Sequence, residues 1–228
     1  KAGGALKLVH LDLTGDLLQD KKIFSEWIIE SPELFACYLQ ELYGQYAKQD
    51  GKFVLSQNMK EADISKCCEI IINPFAVELN GKKILNKLYA ELGEVSRSEV
   101  MYTKTLELSG LIQEYLLELE SNTNHILQFD NEMDISGLLK FMDVKLDDSE
   151  GFFFERLICY IKNVVNVLSV KVFVFINLRS YLTDKQMQEL IKEITYQEVQ
   201  ALFIENQERG CLEGGMRYII DVDGCEIY

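Results

Sequence analysis

Several features are absent from this sequence, and each absence excludes a class of protein. No run of about 18 apolar residues occurs, which excludes a conventional membrane-spanning helix. No G-x-x-x-x-G-K-[ST] loop occurs either, so the phosphate cradle of P-loop nucleotide hydrolases is missing. The first residues do not follow the basic-then-apolar plan of a signal peptide, and we expect a cytoplasmic protein without membrane partners.

The chain is also poor in the side-chain patterns that make zinc sites and disulfide frameworks. Its six cysteines have no C-x-x-C spacing, and only His10 and His125 could join them as ligands. We therefore expect reduced thiols, without structural zinc or a set of disulfides.

Positive charge is scarce. The sequence has 23 basic and 37 acidic residues, which gives a net charge of −14. Because a DNA-binding protein displaces counterions with Lys and Arg, this balance argues against a general affinity for nucleic acid. A DNA-binding role requires locally segregated lysines, or cations that offset the acids.

The strongest pattern present is a strand, helix and strand near the end of the sequence. The β-branched and aromatic run Val170–Ile176 predicts a strand that is covered on both faces, hence a central parallel strand. Thr183 and Gln186 form a capping box that predicts a helix start near Asp184. The apolar run Val199–Ile204 follows at a spacing suited to a parallel neighbour, so this stretch predicts one βαβ unit.

Such a unit binds ligands at the carboxyl ends of its strands. The polar residues at these ends include Asn177, Arg179, Glu205 and Glu208. In P-loop hydrolases the equivalent strand ends in an acid that holds magnesium, whereas here it ends in Asn177. We predict an α/β fold, with a degenerate P-loop-ATPase-like head around the central βαβ unit and an inserted α-helical leg.

The leg is predicted from two long helical patterns. One runs over residues 94–127, and the second runs from a cap at Ser149 to Leu168. These patterns give a discontinuous head domain of residues 1–93 and 169–228, and a leg domain of residues 94–168.

Three lysines form the densest basic group of this acidic chain. A helical pattern from Gly81 to Gly93 directs its leucines inward and presents Lys82, Lys83 and Lys87 on the opposite side. This side is either an ordinary solvated helix face or a face that contacts phosphates.

An acidic loop is the candidate metal site. Asp130, Glu132 and Asp134 alternate along the sequence, and in extended backbone their carboxylates would point the same way. Three such oxygens suit calcium, with Glu118 and Glu120 available if the loop folds back. The spacing does not match an EF-hand loop. The alternative is that these residues are solvated loop and N-cap acids.

The segments FVFINLRSYLTDKQMQELIKEI, VQALFIENQ and MRYIIDVDG, with the acidic loop that leads into ISGLLKFMDVKL, carry a resemblance to a known family. Together they resemble the Csn family, the small accessory adaptation proteins of type II-A CRISPR systems. The segment GKKILNKLYAEL also looks like the family's mid-chain helix, whereas the first 50 residues match only in outline.

The resemblance implies a ring-shaped homotetramer without catalytic activity. Such rings bind double-stranded DNA at free ends, hold Ca²⁺ within their subunits, and act in spacer acquisition with the CRISPR integrase and the RNA-guided effector nuclease. It implies calcium ligands near the acidic loop, for which we name Asp130, Glu132, Asp134 and Glu120. It also implies that Lys82, Lys83 and Lys87 line the inner wall of the ring and contact phosphates.

Two other function classes compete with this interpretation. One is a nucleotide hydrolase or metal-dependent nuclease that uses the acidic loop; the missing phosphate loop and the presence of only two histidines speak against it. The other is a protein-interaction scaffold of the adaptation complex that does not bind DNA directly, which the net charge favours.

Overall fold

A computed structural model describes residues 6–148 and 151–228 of the chain. Its strands are β1 (Leu6–His10), β2 (Asp16–Leu18), β3 (Phe24–Ile29), β4 (Phe53–Gln57), β5 (Lys60–Glu61), β6 (Cys68–Ile71), β7 (Val172–Ile176), β8 (Gln200–Glu205), β9 (Met216–Ile220) and β10 (Glu226–Ile227). Its α-helices are α1 (Pro32–Tyr46), α2 (Ile64–Cys67), α3 (Lys82–Ser96), α4 (Tyr102–Ser121), α5 (Ile135–Phe141), α6 (Phe153–Leu168) and α7 (Asp184–Tyr196). Short 3₁₀ turns span Pro74–Ala76 and Leu178–Ser180.

The described residues form two compact units. Within the described residues, the first unit covers the chain up to Glu78 and again from Asp148 onwards, and the second comprises Leu79–Asp147. All the strands belong to the first unit, and α3, α4 and α5 make up the helices of the second.

A six-stranded sheet in the order β10-β9-β3-β8-β7-β6 is the centre of the first unit. The strands β9, β3, β8, β7 and β6 run parallel, and only β10 is antiparallel to its neighbour. Every residue of β3, β7 and β8 is buried, as expected for strands covered on both faces. The α/β class predicted from the sequence is confirmed.

The predicted βαβ unit is also confirmed. Strand β7 pairs in parallel with β8, with Val174 opposite Leu202. Helix α7 between them begins at Asp184, and both hydrogen bonds of the capping box between Thr183 and Gln186 are present.

A four-stranded antiparallel sheet, in the order β2-β1-β4-β5, adds a second layer to the first unit. Leu6 and Leu8 of β1 and Leu55 of β4 are buried in the same core cluster as Trp27 of the large sheet. The alternating burial of β1 explains why its sequence alternates apolar and polar residues.

The place of β3 between β9 and β8 was not predicted. Its sequence FSEWII contains a serine and a glutamate, so it does not read as the continuous apolar run that is typical of an inner strand. Both polar side chains, Ser25 and Glu26, are nevertheless fully buried.

The compact units also divide the chain at different residues from the predicted boundaries of 94 and 168. Helix α6 belongs to the first unit, where it buries one apolar face and Tyr160 donates its hydroxyl to Glu69 of β6 at 2.8 Å. Helix α3 belongs to the second unit, where Tyr89 donates its hydroxyl to the carbonyl of Val144 at 2.8 Å. The physical reason is that both helices are amphipathic, and each packs in the unit that covers its apolar face. The order of the helices along the sequence does not show which unit that is.

The two long helical patterns are shorter in the structure than predicted. The first is interrupted, because α3 continues to Ser96 and α4 begins only at Tyr102. The second begins at Phe153, and the predicted cap Ser149 lies outside the described residues. Over residues 6–148 and 151–228, no helix combines the length and the apolar character that crossing a bilayer requires.

Candidate functional site

The three predicted DNA-binding lysines lie in the first two turns of α3, and all are exposed. Ile84 and Tyr89 are buried on the opposite side of the helix. The helix therefore separates an apolar side, which packs within the second unit, from a basic side that faces solvent.

The position of these lysines at a helix N-terminus is electrostatically costly. The N-terminal end of a helix carries a partial positive charge, which favours acids there and disfavours cations. Helix α3 has no acid in its first turn, and its N-cap Gly81 has no side chain to accept a hydrogen bond. Lys82 and Lys87 thus add positive charge at a helix end that itself favours an anion such as a phosphate.

The acidic loop does not adopt the extended form on which the calcium prediction was based. The backbone bends at Asn131 and Glu132. Asp130, Glu132 and Asp134 therefore do not lie on one extended segment, which is the arrangement that would point their side chains the same way. Asp134 is instead the N-cap residue of α5. The carbonyl of Asn131 accepts a hydrogen bond from Gln113 of α4 at 3.0 Å, which ties the loop to the long helix.

Two of the four predicted ligands share one surface depression. Glu120 and Asp130 line a hollow of about 630 Å³ together with Leu117, Leu127 and Phe129. Across the described residues, no group of three or more His, Cys, Asp or Glu side chains is arranged to hold a metal ion. The residues present therefore do not form a complete calcium cage, because Ca²⁺ takes six to eight oxygen ligands. Calcium binding stays a prediction.

A buried network of charges in the first unit links the carboxyl ends of β7 and β8 to the middle of β3 and the start of β9. Glu26 of β3 is 1% exposed and forms ion pairs with two arginines. One oxygen accepts from Arg179, which follows β7, and the other accepts from Arg217 of β9 at 3.1 Å. Because both guanidinium groups bind the same carboxylate, each of them is held in a defined position.

The same two arginines hold the loop between β8 and β9, residues 206–215. Arg179 donates to the carbonyl of Gly210 at 2.8 Å, and Arg217 donates to the carbonyl of Arg209 at 2.8 Å. Arg217 also pairs with Glu208 at 3.0 Å. This β8–β9 loop runs from the carboxyl end of β8 to the amino end of the parallel strand β9, and these contacts fix it beside β3.

Glu205 at the end of β8 completes the network. One of its oxygens accepts from the backbone N–H of Arg179 at 3.0 Å, and the other is buried without a partner among the described residues. Burial raises the pKa of Glu205 to about 7, and the nearby Arg179 and Arg209 offset only part of this effect. The neutral and the ionised carboxyl are therefore both populated near neutral pH.

Of the four residues predicted at this edge, the structure brings Arg179 and Glu205 into contact. Asn177 adopts a left-handed conformation and accepts a hydrogen bond from the backbone of Asn206 at 3.0 Å. Glu208 lies at the periphery, on Arg217. The guanidiniums here are already occupied by carboxylates and by backbone carbonyls, so this edge is built as a structural joint.

Glu26 and Arg217 were missed from the sequence. The available signal was a single charged residue inside an otherwise buried strand, since such a charge requires a partner. Sequence spacing gave no indication of the partners, which come from distant parts of the chain.

The sequence of this chain matches a known protein family. The family model described as CRISPR-associated protein (Cas_Csn2) matches residues 45–224, which is well over half of the chain. The chain belongs to this family. The resemblance noted from the sequence is confirmed, and a role connected with CRISPR defence follows from it.

A curated relative supports the assignment. The CRISPR-associated protein Csn2 of Enterococcus faecalis is 28% identical over 142 residues, which cover 61% of this chain and 61% of that protein. Among solved structures, a putative ABC transporter (ATP-binding protein) from Pyrococcus furiosus aligns over 93% of this chain and 96% of its own, at 10% identity and a TM-score of 0.39.

The region matched by the family model contains the basic side of α3, the acidic loop, Arg179 and Arg217. Glu26 lies before that region, although its carboxylate joins the two arginines.

Proposed function

We propose that this member of the Csn2 family is a non-catalytic protein that binds double-stranded DNA at free ends, without sequence preference, during CRISPR spacer acquisition. In this role it forms a homotetrameric ring and works beside the CRISPR integrase and the RNA-guided effector nuclease. The family membership supports the CRISPR context. The DNA-binding part rests on the basic side of α3.

That basic side carries the proposal because it is a local exception in an acidic protein. Lys82 and Lys87 are exposed and lie five positions apart, at the start of a helix whose first turn contains no acid. Lysines arranged in this way bind phosphates as point charges and read no bases. Affinity should therefore be independent of sequence and should fall steeply with salt.

Self-association is supported by α4. This helix of 20 residues has no buried residue, although its sequence contains many large apolar side chains. Leu108, Leu111, Tyr115 and Leu119 recur at helical spacing and are all exposed. An exposed stripe of this kind is typical of a helix that packs against another helix, and we propose that a second subunit covers it.

We include calcium binding in the proposal because the resemblance to the family implies it. Glu120 and Asp130 supply two carboxylates to one hollow, and further ligands have to come from a rearranged loop or a neighbouring subunit. We expect added Ca²⁺ to raise the melting temperature, and Asp130→Asn to abolish that rise. Glu99→Gln, at an exposed acid of the same unit, is the control; an equal loss in both variants contradicts the assignment.

The decisive experiment is fluorescence anisotropy with a linear duplex over a range of salt concentrations, with closed circular DNA as competitor. We expect Lys82→Ala combined with Lys87→Ala to lower the slope of log affinity against log salt by about 1.8, which is about 0.9 for each lost phosphate contact. The control combines Lys185→Ala and Lys192→Ala, at exposed lysines of α7. An unchanged slope in the α3 variant, or equal competition by circles, contradicts the proposal.

A scaffold that never binds DNA is the second candidate, and the net charge of −14 favours it. A scaffold of this kind recruits its partners through protein contacts. Adding linear duplex DNA should leave the mass of the protein particle in solution unchanged. Hydrolysis of ATP, or metal-dependent cleavage of DNA by the pure protein, would contradict both candidates.

A further inference from the structure

Three aromatic side chains of the first unit form a cluster at the surface, in which Phe75 and Tyr181 are exposed and Phe153 is half-buried. The ring of Phe75 lies 4.7 Å from that of Phe153 and 5.1 Å from that of Tyr181, measured between centroids. Phe75 is 51% exposed and Tyr181 is 45% exposed. Phe152, next to Phe153 in the chain, is 84% exposed. We call Phe75, Phe153 and Tyr181 the aromatic platform.

The platform stands at the carboxyl edge of the parallel sheet. Phe75 lies in the 3₁₀ turn that follows β6, and Tyr181 comes directly after the 3₁₀ turn that follows β7. Strands β6 and β7 are hydrogen-bonded neighbours, which accounts for the closeness of the two rings. This is the edge at which open α/β sheets bind their ligands.

The backbone beneath the rings is fixed by local hydrogen bonds. Asn73 accepts from the backbone N–H of Phe75 at 3.0 Å, and the N–H of Tyr181 donates to the carbonyl of Leu178 at 3.0 Å. Phe153 opens α6 and is half-buried, and the following turns on the same side of that helix are anchored in the core by Leu157 and Ile161. The rings are therefore held in place before any partner arrives, which lowers the entropic cost of binding.

The composition of the platform favours a flat, aromatic partner. The ring of Phe75 is inclined by 44° to that of Phe153 and by 83° to that of Tyr181, so an incoming aromatic ring can stack on one of them and meet the edge of another. A basic side chain accompanies it: Arg156 lies one helical turn beyond Phe152 and Phe153, which places it on the same side of α6. Arg156 has no ion pair with any residue that the structure describes. Aromatic rings beside a guanidinium suit a nucleobase and its phosphate.

We propose that the aromatic platform stacks on a nucleobase at the end of the bound DNA, either an overhanging base or one freed by fraying of the last pair. This inference rests on the proposed function and deepens it, because it gives a reason for preferring ends. A base inside a duplex is covered on both faces by its neighbours, whereas an end presents an open face. The lysines of α3 bind phosphates anywhere along the duplex, and the platform adds a contact that only an end can offer.

The test uses 2-aminopurine, a fluorescent adenine analogue that stacking quenches, in a DNA duplex with a short overhang. The analogue is placed in the overhang in one duplex and in the middle of the other. With the wild-type protein we expect quenching of the overhanging analogue and no change in the internal one. Phe75→Leu combined with Tyr181→Leu keeps apolar bulk but removes two rings, and we expect it to lose the quenching and about tenfold in affinity for ends.

The control variant is Tyr196→Leu, which removes an aromatic ring of α7 that is 81% exposed and has no ring neighbour among the described residues. It should behave as the wild type. The inference is overturned if the wild type binds duplex without quenching the overhanging analogue, or if the double leucine variant quenches normally. It is also overturned if that variant, folded by thermal melt, loses subunits in light scattering, because the platform is then a subunit contact. Absence of DNA binding by the wild type refutes the proposed function itself, which keeps the two failures distinct.

Discussion

Replacing Glu205 by glutamine tests whether a buried carboxyl limits the stability of the first unit. Because its pKa is about 7 in the fold against a usual value of 4.5, the folded state binds a proton that the unfolded state has released between these values. The free energy of unfolding of the wild type should therefore fall as pH rises from 4.5 towards 7, and level off above that. Glutamine, which does not titrate, removes this dependence.

The size of the effect follows from the two pKa values. The ionised carboxylate lowers the free energy of unfolding by about 1 kcal/mol at pH 5 and by about 3 kcal/mol at pH 8, at about 1.4 kcal/mol for each pKa unit. The stability of Glu205→Gln relative to the wild type should thus improve by about 2 kcal/mol between pH 5 and pH 8.

The assay is urea unfolding at several pH values, followed by the fluorescence of Trp27, the single tryptophan, which is completely buried. Glu189→Gln on the exposed side of α7 controls for the removal of one negative charge. A parallel pH dependence of wild type and Glu205→Gln, or the same change in the control, would refute the reasoning.

Three further substitutions have expected outcomes. Burial alone would raise the pKa of Glu226, but hydrogen bonds from the hydroxyls of Thr14, Tyr218 and Tyr228 lower it to about 2. The stabilisation that these bonds give is present above pH 4.5 and is lost as pH falls towards 2. Glu226→Gln should therefore shift acid unfolding, followed by circular dichroism, to higher pH. Gly215→Ala would place a methyl group 2.1 Å from the ring of Phe24, and we expect it to cost about 1–3 kcal/mol in urea unfolding, whereas Gly210→Ala, with open space around the new methyl, should be nearly neutral. Thr183→Ala removes the capping box of α7 and should cost about 1 kcal/mol, with an unchanged melting curve contradicting this.

The elements predicted well from the sequence are those whose signal is local. Strand β7, the capped start of α7 and strand β8 each depend on a few neighbouring residues, and the structure places all three as expected. The turn between β9 and β10 also has a local cause, because Gly224 supplies the positive φ angle of 81° that the turn requires.

The elements that were missed depend on residues far apart in the sequence. Glu26 reads as an interruption of a strand until Arg179 and Arg217 are known to lie beside it. The boundaries of the second unit depend on which surface the apolar faces of α3 and α6 cover, and a periodic pattern gives the face but not its partner. The candidate lysines form a local cluster that the sequence shows directly, whereas the extended backbone expected for the acidic loop is interrupted by a bend at Asn131 and Glu132. Phosphate binding by the lysines and calcium binding by the loop both stay predictions.

During synthesis on the ribosome, strands β8 and β9, which pair with β3, emerge long after β3 itself. Trp27 in the middle of this strand pairs with Ile204 and Tyr218, so β3 stays without neighbours in its sheet while the whole second unit emerges and forms its local contacts. An apolar strand with two open edges readily pairs with the wrong strand or with another chain. Glu26 makes such pairing costly, because burying its carboxylate is tolerated only where Arg179 and Arg217 neutralise it. We therefore expect the buried charge to disfavour incorrect pairing of β3 until Arg179 and Arg217 are in place.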